Sequence, residues 1–400
     1  MKNLLSLSLF SFSLLALFSQ THTTPGVYVQ EIPSGVRSIA QVETAIPAFI
    51  GYTQKVVRTS KSSKASAVLI KSFADYQKMF GSATVGYYLA ESVELFFENG
   101  GQSCYIISVG LSSSPILKKA LNRGLAISTS LKVQLLLIPD AVALPAADFY
   151  TIQEQMLQQC GQLGDRFAIL NTLQPSGNEG QDFQNFRSNT PSPNPDKGAT
   201  YYPWLVNKQG ISVPPSGAIA GVYAHIDQKK GVWKAPANVS LRGVDGLSHF
   251  LNFSQQTAAN SSSDGKSINI IAELAGKGIL VWGARTLAGQ DIEWRYVPVR
   301  RLGLMIEESL YRGLEWVVFE PNDEPLWTQV QASVTNFLTQ LYRKGAFQGS
   351  KASQAFFVKC GLGETMTAQD IADKKLIIQI GFAPLRPAEF VVIPLEIQMP

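Results

Sequence analysis

The chain has 400 residues, which exceeds one typical domain of about 150 residues, so its length predicts two or three domains. With 45% apolar, 10% aromatic and 16% charged residues, it is not a disordered acidic or basic protein, because such chains are rich in charge and poor in aromatic residues. Its 34 basic and 30 acidic residues give a net charge of +4 without any Lys/Arg run longer than two, which argues against a nucleic-acid partner. The low charged fraction suits a surface that other subunits largely cover.

The first residues have the layout of a secretory signal peptide. Lys2 precedes an uncharged stretch from Leu4 to Phe18, which is too short for a membrane-spanning helix of about 20 apolar residues. Small residues are not placed as A-x-A before a cleavage point, and Leu5 to Ser13 alternates apolar residues with serine, as a strand would. The segment alone therefore leaves export open.

The next elements predict an α/β domain. Leu131 to Ile138 is a nearly all-apolar run that ends at Pro139, which is typical of a strand buried on both faces of a parallel sheet. A helix over Asp148 to Leu163 and a strand over Arg166 to Asn171 complete a crossover unit. Earlier in the chain we predict a strand over Val27–Ile32, helices over Asp75–Phe80 and Gly86–Asn99, and a strand over Cys104–Val109.

The middle of the chain is rich in turn-forming residues. Gln174 to Lys197 and Ser248 to Lys266 have loop composition. Ala199 to Val206 has strand character, and Pro203 predicts an edge position or a bulge for it. Ile268–Ala272 and Ile279–Trp282 are short apolar runs on either side of the turn at Gly276-Lys277-Gly278.

The C-terminal part predicts an α+β domain. Its clearest element is an amphipathic helix from Leu326 to Lys344, which Asn322 or Asp323 can cap and whose apolar residues recur every three or four positions. The other predicted elements are a helix over Val297–Tyr311 and strands over Leu314–Phe319, Gln354–Lys359, Leu376–Phe382 and Phe390–Gln398.

The cysteines, histidines and serines of the chain do not form the motifs of a catalytic or metal site. Cys104, Cys160 and Cys360 form no C-x-x-C pair, so we predict buried free thiols. The three histidines, His22, His225 and His249, are far apart, and no serine stands in a G-x-S-x-G elbow. We therefore predict a protein that is not an enzyme, with no catalytic residue, cofactor or metal.

Two glycine-containing segments also lack a nucleotide-binding pattern. Gly265-Lys266-Ser267 resembles the end of a phosphate loop, but Asn260 stands where the first glycine belongs. Gly276 and Gly278 lack the third glycine of a dinucleotide fingerprint. Both segments are interpreted as a surface loop or turn.

The two predicted strands at the ends of the chain are of special interest. Val27 to Ile32 and Phe390 to Gln398 are apolar and flanked by proline, and Pro394 allows the second only an edge position. An unpaired strand exposes backbone groups that can pair with another chain. The residues alone leave open whether each strand pairs within its own subunit or with a neighbour.

Several stretches, in this order, resemble the contractile tail sheath proteins of myophages, R-type bacteriocins and extracellular contractile injection systems. They are Thr24-Pro25-Gly26-Val27-Tyr28-Val29, Phe96-Phe97-Glu98-Asn99-Gly100-Gly101, Gly164-Asp165-Arg166-Phe167-Ala168-Ile169-Leu170, Tyr201-Tyr202-Pro203-Trp204, Pro215-Ser216-Gly217, Ala220-Gly221-Val222-Tyr223-Ala224, Gly231-Val232-Trp233-Lys234-Ala235-Pro236-Ala237-Asn238, Val281-Trp282-Gly283-Ala284-Arg285-Thr286-Leu287 and Pro387-Ala388-Glu389-Phe390. The resemblance spans Thr24 to Met399.

This resemblance implies an outer α/β domain with a subtilisin-like parallel sheet and crossover helices, and an inner α+β domain that faces a tube. The corresponding divisions are a leader or misassigned start at 1–23, an N-terminal strand arm at 24–45, the α/β sheath domain at 46–280, the inner domain at 281–386 and a C-terminal strand arm at 387–400. Both arms are expected to be donated to neighbouring subunits.

The resemblance also implies specific interface residues. The strand arms would contribute Val27, Tyr28, Val29, Glu31, Ile32, Phe390, Val391, Val392, Ile393, Leu395 and Ile397. On the Leu326–Lys344 helix, the candidate tube-facing residues are Trp327, Gln331, Asn336, Gln340, Arg343 and Lys344.

The implied function is that of a structural subunit that polymerises helically around an inner tube and contracts to drive the tube through a target envelope. Its expected partners are other copies of itself, the inner tube protein, and baseplate and tail terminator proteins, without nucleic acid or direct membrane insertion. Assembly in the cytoplasm, then release in a virion or phage tail-like particle, is the expected localisation, although the leader leaves export open. The alternatives are the sheath of a type VI-like secretion machine and, from another class, a secreted subtilisin-like hydrolase, which would need an activated serine.

Overall fold

The computed structural model describes residues 37–56, 67–190, 193–260, 265–385 and 391–398. Up to residue 190, the elements in chain order are β1 (Pro47–Thr53), β2 (Ala67–Ile70), α1 (Phe73–Phe80), α2 (Leu89–Glu98), β3 (Cys104–Leu111), α3 (Lys118–Ser128), β4 (Leu135–Leu137), α4 (Ala146–Leu163), β5 (Phe167–Leu170) and α5 (Glu179–Asn189). The next elements are β6 (Gly198–Tyr202), β7 (Leu205–Asn207), β8 (Ser212–Val213), α6 (Ser216–Lys230), β9 (Val239–Ser240), β10 (Val244–Leu247), α7 (Phe253–Asn260), β11 (Ile268–Leu274) and β12 (Gly278–Val281).

The C-terminal part contains α8 (Val297–Gly313), α9 (Glu324–Arg343), α10 (Ala352–Ala355), β13 (Phe356–Lys359), α11 (Ala368–Ala372), β14 (Lys375–Phe382) and β15 (Val391–Gln398). Short 3-10 helices occupy Pro139–Ala143, Pro195–Lys197 and Glu315–Val317. The described residues contain no helix that is long and apolar enough to span a membrane.

The largest sheet of the described residues has nine strands in the order β2-β3-β1-β4-β5-β6-β11-β12-β9. The strands from β3 to β11 in this order are parallel to one another, whereas β2, β12 and β9 pair antiparallel at the two edges. Parallel strands need crossover connections, and helices supply them here. The predicted parallel sheet with crossover helices is confirmed.

Helices cover both faces of this sheet. Successive strand residues point to opposite faces, so Phe49 belongs to a hydrophobic cluster with α1, α2 and α6, while its neighbours Ala48 and Ile50 belong to a cluster with α3, α4, α5 and α7. Because both faces are covered, β4 and β5 are apolar at every position, as the sequence predicts for a buried parallel strand.

Two segments with loop composition contain helices, so their prediction as loops was wrong. The side chain of Asn178 accepts a hydrogen bond from the backbone N–H of Gln181, and Phe183 and Phe186 anchor α5 in the core. Asn252 caps α7 in the same way through the N–H of Gln255. In each case a capping residue and one or two buried side chains outweigh the polar composition of the rest of the helix.

Two strand predictions also need correction. β6 lies between β5 and β11 inside the sheet and not at its edge, because Pro203 follows the last residue of the strand and removes no ladder hydrogen bond. The segment from Leu314 to Phe319 forms a 3-10 turn over Glu315–Val317 instead of a strand. Leu314 and Val317 are both buried and stand three residues apart, the spacing that a 3-10 turn places on one side.

The C-terminal elements surround a third hydrophobic cluster. α8 and α9 pack with a three-stranded antiparallel sheet in the order β13-β14-β15. The predicted amphipathic helix is confirmed as α9, where Asp323 caps the N-terminus by accepting from the N–H of Leu326 at 3.1 Å. The three predicted strands at the end of the chain are confirmed, and β15 takes the edge position that Pro394 requires.

Candidate subunit interface

The described chain begins with a segment that is fixed against two helices. The predicted N-terminal arm residues Val27, Tyr28, Val29, Glu31 and Ile32 lie outside the described residues, and residues 37–44, here called the root segment, follow them. The backbone N–H groups of Arg37 and Val42 each donate a hydrogen bond of 3.1 Å to a serine hydroxyl, that of Ser333 on α9 and that of Ser309 on α8. The root segment is therefore held by specific side chains of the C-terminal helices.

Small residues on α8 create the space for this segment. Ser309 and Gly313 are four positions apart, so they lie on one face of the helix. Ile39, which is only 4% exposed, packs on Gly313, where an added Cβ would come within 2.6 Å of its Cγ2. A larger residue at position 313 would displace the root segment.

A buried ion pair fixes the other end of the root segment. The guanidinium of Arg301 on α8 donates to both carboxylate oxygens of Asp227 on α6, at 3.0 and 2.6 Å, and also to the carbonyl of Thr44 at 2.9 Å. The Thr44 hydroxyl donates to Asp227 at 2.6 Å. The charged side chains are only 3% and 5% exposed. These residues, Thr44, Asp227 and Arg301, form what we call the root clamp, which joins α6, α8 and the segment that leads into β1.

The predicted C-terminal arm residues lie at the opposite end of the chain. Phe390 is outside the described residues, and Val391, Val392, Ile393, Leu395 and Ile397 belong to β15. β15 pairs antiparallel with β14 of the same chain in eight register pairs, from Phe382 with Val391 to Lys375 with Gln398. No strand of the described residues pairs with the outer side of β15. The structure thus brings the C-terminal arm to its own sheet and leaves one edge of that sheet free of described partners.

The predicted tube-facing residues on α9 divide into two groups. Trp327 and Gln331 are half-buried, and they donate to the Asn322 side chain at 2.7 Å and to the Cys360 carbonyl at 2.6 Å. The exposed ones are Asn336, Gln340, Arg343 and Lys344. Positions 336, 340 and 343 share one face of the helix, so α9 presents a polar surface with positive charge at its C-terminal end.

The sequence did not identify the residues that hold the root segment. The contacts of Ser333 and Ser309 join residues 296 and 267 positions apart, beyond the reach of any local pattern. One signal was available, because Arg300 and Arg301 are charged residues within the otherwise apolar stripe of α8 and both are buried. A buried arginine requires an acidic or carbonyl partner.

The three thiols are buried, and His249 has a carboxylate partner. Cys104, Cys160 and Cys360 are buried and free, as predicted, and burial raises the pKa of Cys160 and of Cys360 to about 12. His249 is hydrogen-bonded to Glu179. In the described part of the chain, no group of three or more His, Cys, Asp or Glu residues could hold a metal ion.

Known sheath proteins are similar to this chain in both sequence and fold. A family model described as the phage tail sheath protein central domain matches residues 176–287, and one described as the phage tail sheath C-terminal domain matches residues 290–398. The PVC sheath complex of an extracellular contractile injection system, solved in its contracted state, is 33% identical, covers 94% of this chain and 98% of that chain, and has a TM-score of 0.74. The contracted helical sheath of the anti-feeding prophage is 32% identical over 93% and 99% of the two chains, with a TM-score of 0.72.

Curated relatives match over shorter regions. A putative prophage major tail sheath protein of Pseudomonas aeruginosa (strain UCBPP-PA14) is 27% identical over 179 residues, which is 44% of each chain. The matched part of the chain spans less than half the length of this and the other curated relatives. Because the solved sheath chains match over nearly their whole length at more than 30% identity, the chain belongs to the contractile tail sheath family.

Proposed function

We propose that the protein is the structural subunit of a contractile tail sheath, which polymerises helically around an inner tube and shortens to drive that tube through a target envelope. The observation that carries this proposal is the match, over 94% of the chain, with a sheath complex of an extracellular contractile injection system in its contracted state. The role is structural and not enzymatic.

The third hydrophobic cluster supports the proposed domain division. Residues 46–280 form an outer α/β domain with a subtilisin-like sheet, and residues 281–386 form an inner domain. Two clusters lie on the two faces of the nine-stranded sheet, while α8, α9 and the three-stranded sheet supply most of the third. A cluster formed mostly by elements after residue 281 is what a separate inner domain with its own core would have.

Strand exchange joins the copies in this proposal. Val27–Ile32 and Phe390–Ile397 are donated to neighbouring subunits, where they complete shared sheets. The ladder between β14 and β15 supports this, since an identical β15 from another copy can make the same backbone pairs with β14. The backbone hydrogen bonds that β15 loses when it leaves β14 of its own chain are then replaced by the same bonds with β14 of the neighbouring chain.

The tube is the proposed partner of α9. Its exposed face, with Asn336, Gln340, Arg343 and Lys344, offers hydrogen-bonding groups and positive charge to a polar surface. Baseplate and tail terminator proteins are the proposed partners at the two ends of the polymer. Assembly takes place in the cytoplasm, and the finished sheath is part of a virion or of a released phage tail-like particle.

Contraction in this proposal requires no nucleotide and no cofactor. The subunits assemble in an extended, metastable arrangement and relax into a shorter and wider one whose contacts between subunits are better. The root clamp fixes the root segment to α6 and α8, so movement takes place outside it, in the strands that connect copies.

Negative-stain electron microscopy tests this function. The full chain and a version from Thr24 to Pro400 are each purified without partners. Striated tubes from the shorter version establish a self-assembling sheath and show that residues 1–23 are dispensable. If both versions remain monomeric, each is co-expressed with its tube protein, and a failure to coat the tube contradicts the proposal.

A further inference from the structure

A groove of about 570 Å³ lies beside the start of α8. Val299 and Leu302 form part of its apolar lining, and Trp233 and Tyr296 add aromatic rings. A cavity of this size, whose lining combines apolar side chains with polar groups, is suited to binding a short peptide segment.

The groove is positively charged. Lys234 and Arg285 line it, and none of the described residues that line it is acidic. Within the described residues, Lys234 forms no ion pair, and the only hydrogen bond of the Arg285 side chain is a donation to the carbonyl of Asn260 at 3.1 Å. A fitting occupant therefore combines an apolar side chain with carboxylates.

One exposed turn of this chain has that chemistry. Ile292 is 65% exposed and stands between the exposed residues Asp291 and Glu293. Among the large apolar side chains exposed in the described residues, it alone has a carboxylate residue on each side. The Asp291 side chain accepts hydrogen bonds from the backbone N–H groups of Glu293 and Trp294, at 2.8 and 2.9 Å, so the turn is already ordered before it binds anything.

The turn and the groove belong to the same hairpin. Arg285 and Tyr296 pair across its base and line the groove, while residues 291–293 form its tip. None of residues 291–293 is among the described residues that line the groove, so the tip lies outside the groove of its own chain.

We propose that the Asp291–Glu293 turn of one copy docks into the groove of the next copy. Ile292 contacts the apolar lining, and the two carboxylates face Lys234 and Arg285. In this arrangement each copy inserts its turn into the next copy and receives the turn of the previous one, which is a head-to-tail contact, the type that builds an open helical polymer. The inference rests on the proposed function and specifies one contact between subunits of that polymer.

Charge reversal with rescue tests the pairing. Glu293→Lys and Lys234→Glu are made singly and together, and the protein concentration at which polymers sediment is measured, with tube protein present if wild type needs it. Each single variant is expected to raise this concentration about ten-fold, since it places like charges in contact, and the double variant returns it close to the wild-type value. Asp245→Lys and Lys277→Glu, which make the same charge changes at exposed positions outside the contact, are expected to leave it unchanged.

Cross-linking gives an independent readout. A carbodiimide joins Lys234 to Glu293 when the two groups touch, and polymers made from mixed ¹⁵N-labelled and unlabelled chains show whether the joined peptides come from different copies. Cross-links between labelled and unlabelled peptides support the inference. Polymers that form without this cross-link and tolerate both reversals overturn it and leave the proposed function standing, whereas wild-type protein that forms no polymer even with the tube overturns both.

Discussion

The two ends of the described chain are held in opposite ways. The root segment at 37–44 is fixed by side chains, through Ser309, Ser333 and the root clamp. β15 is fixed by a backbone ladder with β14. Side-chain contacts of this kind depend on the particular residues of α6, α8 and α9, whereas a backbone ladder can be remade with the same strand of any copy. From this comparison we predict that the N-terminal attachment is permanent and that the C-terminal attachment is exchangeable.

The largest expected effect comes from preventing exchange at the C-terminal end. Ile377 of β14 is in register with Glu396 of β15, so Ile377→Cys combined with Glu396→Cys can tie β15 to its own chain. Oxidised monomers are expected to form no sheath, and reduction restores assembly, as measured by electron microscopy. The single variant Ile377→Cys is the control. Normal sheaths from fully oxidised monomers would show that β15 stays on its own sheet.

Breaking the root clamp has the next largest effect, on stability. Asp227→Ala leaves the Arg301 guanidinium buried without its carboxylate, so we expect the free energy of unfolding to fall by about 3 to 5 kcal/mol. Urea denaturation measures this change. The matched control is Lys208→Ala, which removes the exposed ion pair with Glu98 and is expected to cost less than about 1 kcal/mol. Equal losses in the two variants contradict a permanent attachment of the root.

The pH dependence of Glu91, which lies on α2 away from both ends of the described chain, tests whether the stability of the α/β domain is independent of the two end attachments. Burial raises the pKa of Glu91 on α2 from 4.5 to about 7, with a smaller contribution from Asp140. The native state therefore favours the protonated carboxyl, and its contribution to stability is greatest below pH 4.5 and is lost as the pH rises through about 7.

Glu91→Gln should stabilise the protein relative to wild type by an amount that grows from pH 4.5 to pH 8 and reaches on the order of 3 kcal/mol. Urea denaturation at several pH values measures the difference, and Glu273→Gln at an exposed site is the control. Assembly of the oxidised and reduced forms described above should not change with this substitution. A difference that shrinks as the pH rises contradicts the stated direction of the Glu91 pKa shift.

The smallest expected effect is the loss of one contact of the root. Ser333→Ala removes the hydroxyl that accepts from the N–H of Arg37, which costs about 0.5 to 1.5 kcal/mol. Hydrogen exchange should increase at the Arg37 amide and stay unchanged in the β14–β15 ladder. The control is Thr335→Ala, which removes a hydroxyl from the exposed side of the same helix and leaves the contact with Arg37 intact. Faster exchange in both regions would show that the two ends are not independent.

The sequence predicted those parts of the fold that local patterns encode. The all-apolar runs at Leu135–Leu137 and Phe167–Leu170 indicate a parallel sheet, and the capping residue Asp323 with a regular apolar stripe indicates α9. α5 and α7 were missed because their composition is polar and only a few side chains bury. Pro203 was misleading, since it predicted an edge position or a bulge but follows the last residue of a strand inside the sheet.

The candidate interface was less accessible to sequence reasoning. The resemblance identified the family, and the residues themselves showed that the terminal strands are apolar. The attachment of the root segment, however, depends on residues that come together only in the folded chain. Asp227 and Arg301 are 74 positions apart, and Thr44 and Arg301 are 257 positions apart. Neither pair has a local sequence signature. A buried arginine in a helix indicates that an acidic or carbonyl partner must be present, but it does not indicate where in the sequence that partner lies.

The antiparallel ladder between β14 and β15 also has a mechanical consequence. A load directed along β15 acts on its eight register pairs together, in shear, whereas a load directed across the strand would separate them one after another. If β15 joins two copies, as we propose, that contact would resist a pull along the strand and would separate more easily under a pull across it. The orientation of β15 relative to the direction of pulling would therefore decide whether its pairs with β14 bear the load together or separate one after another.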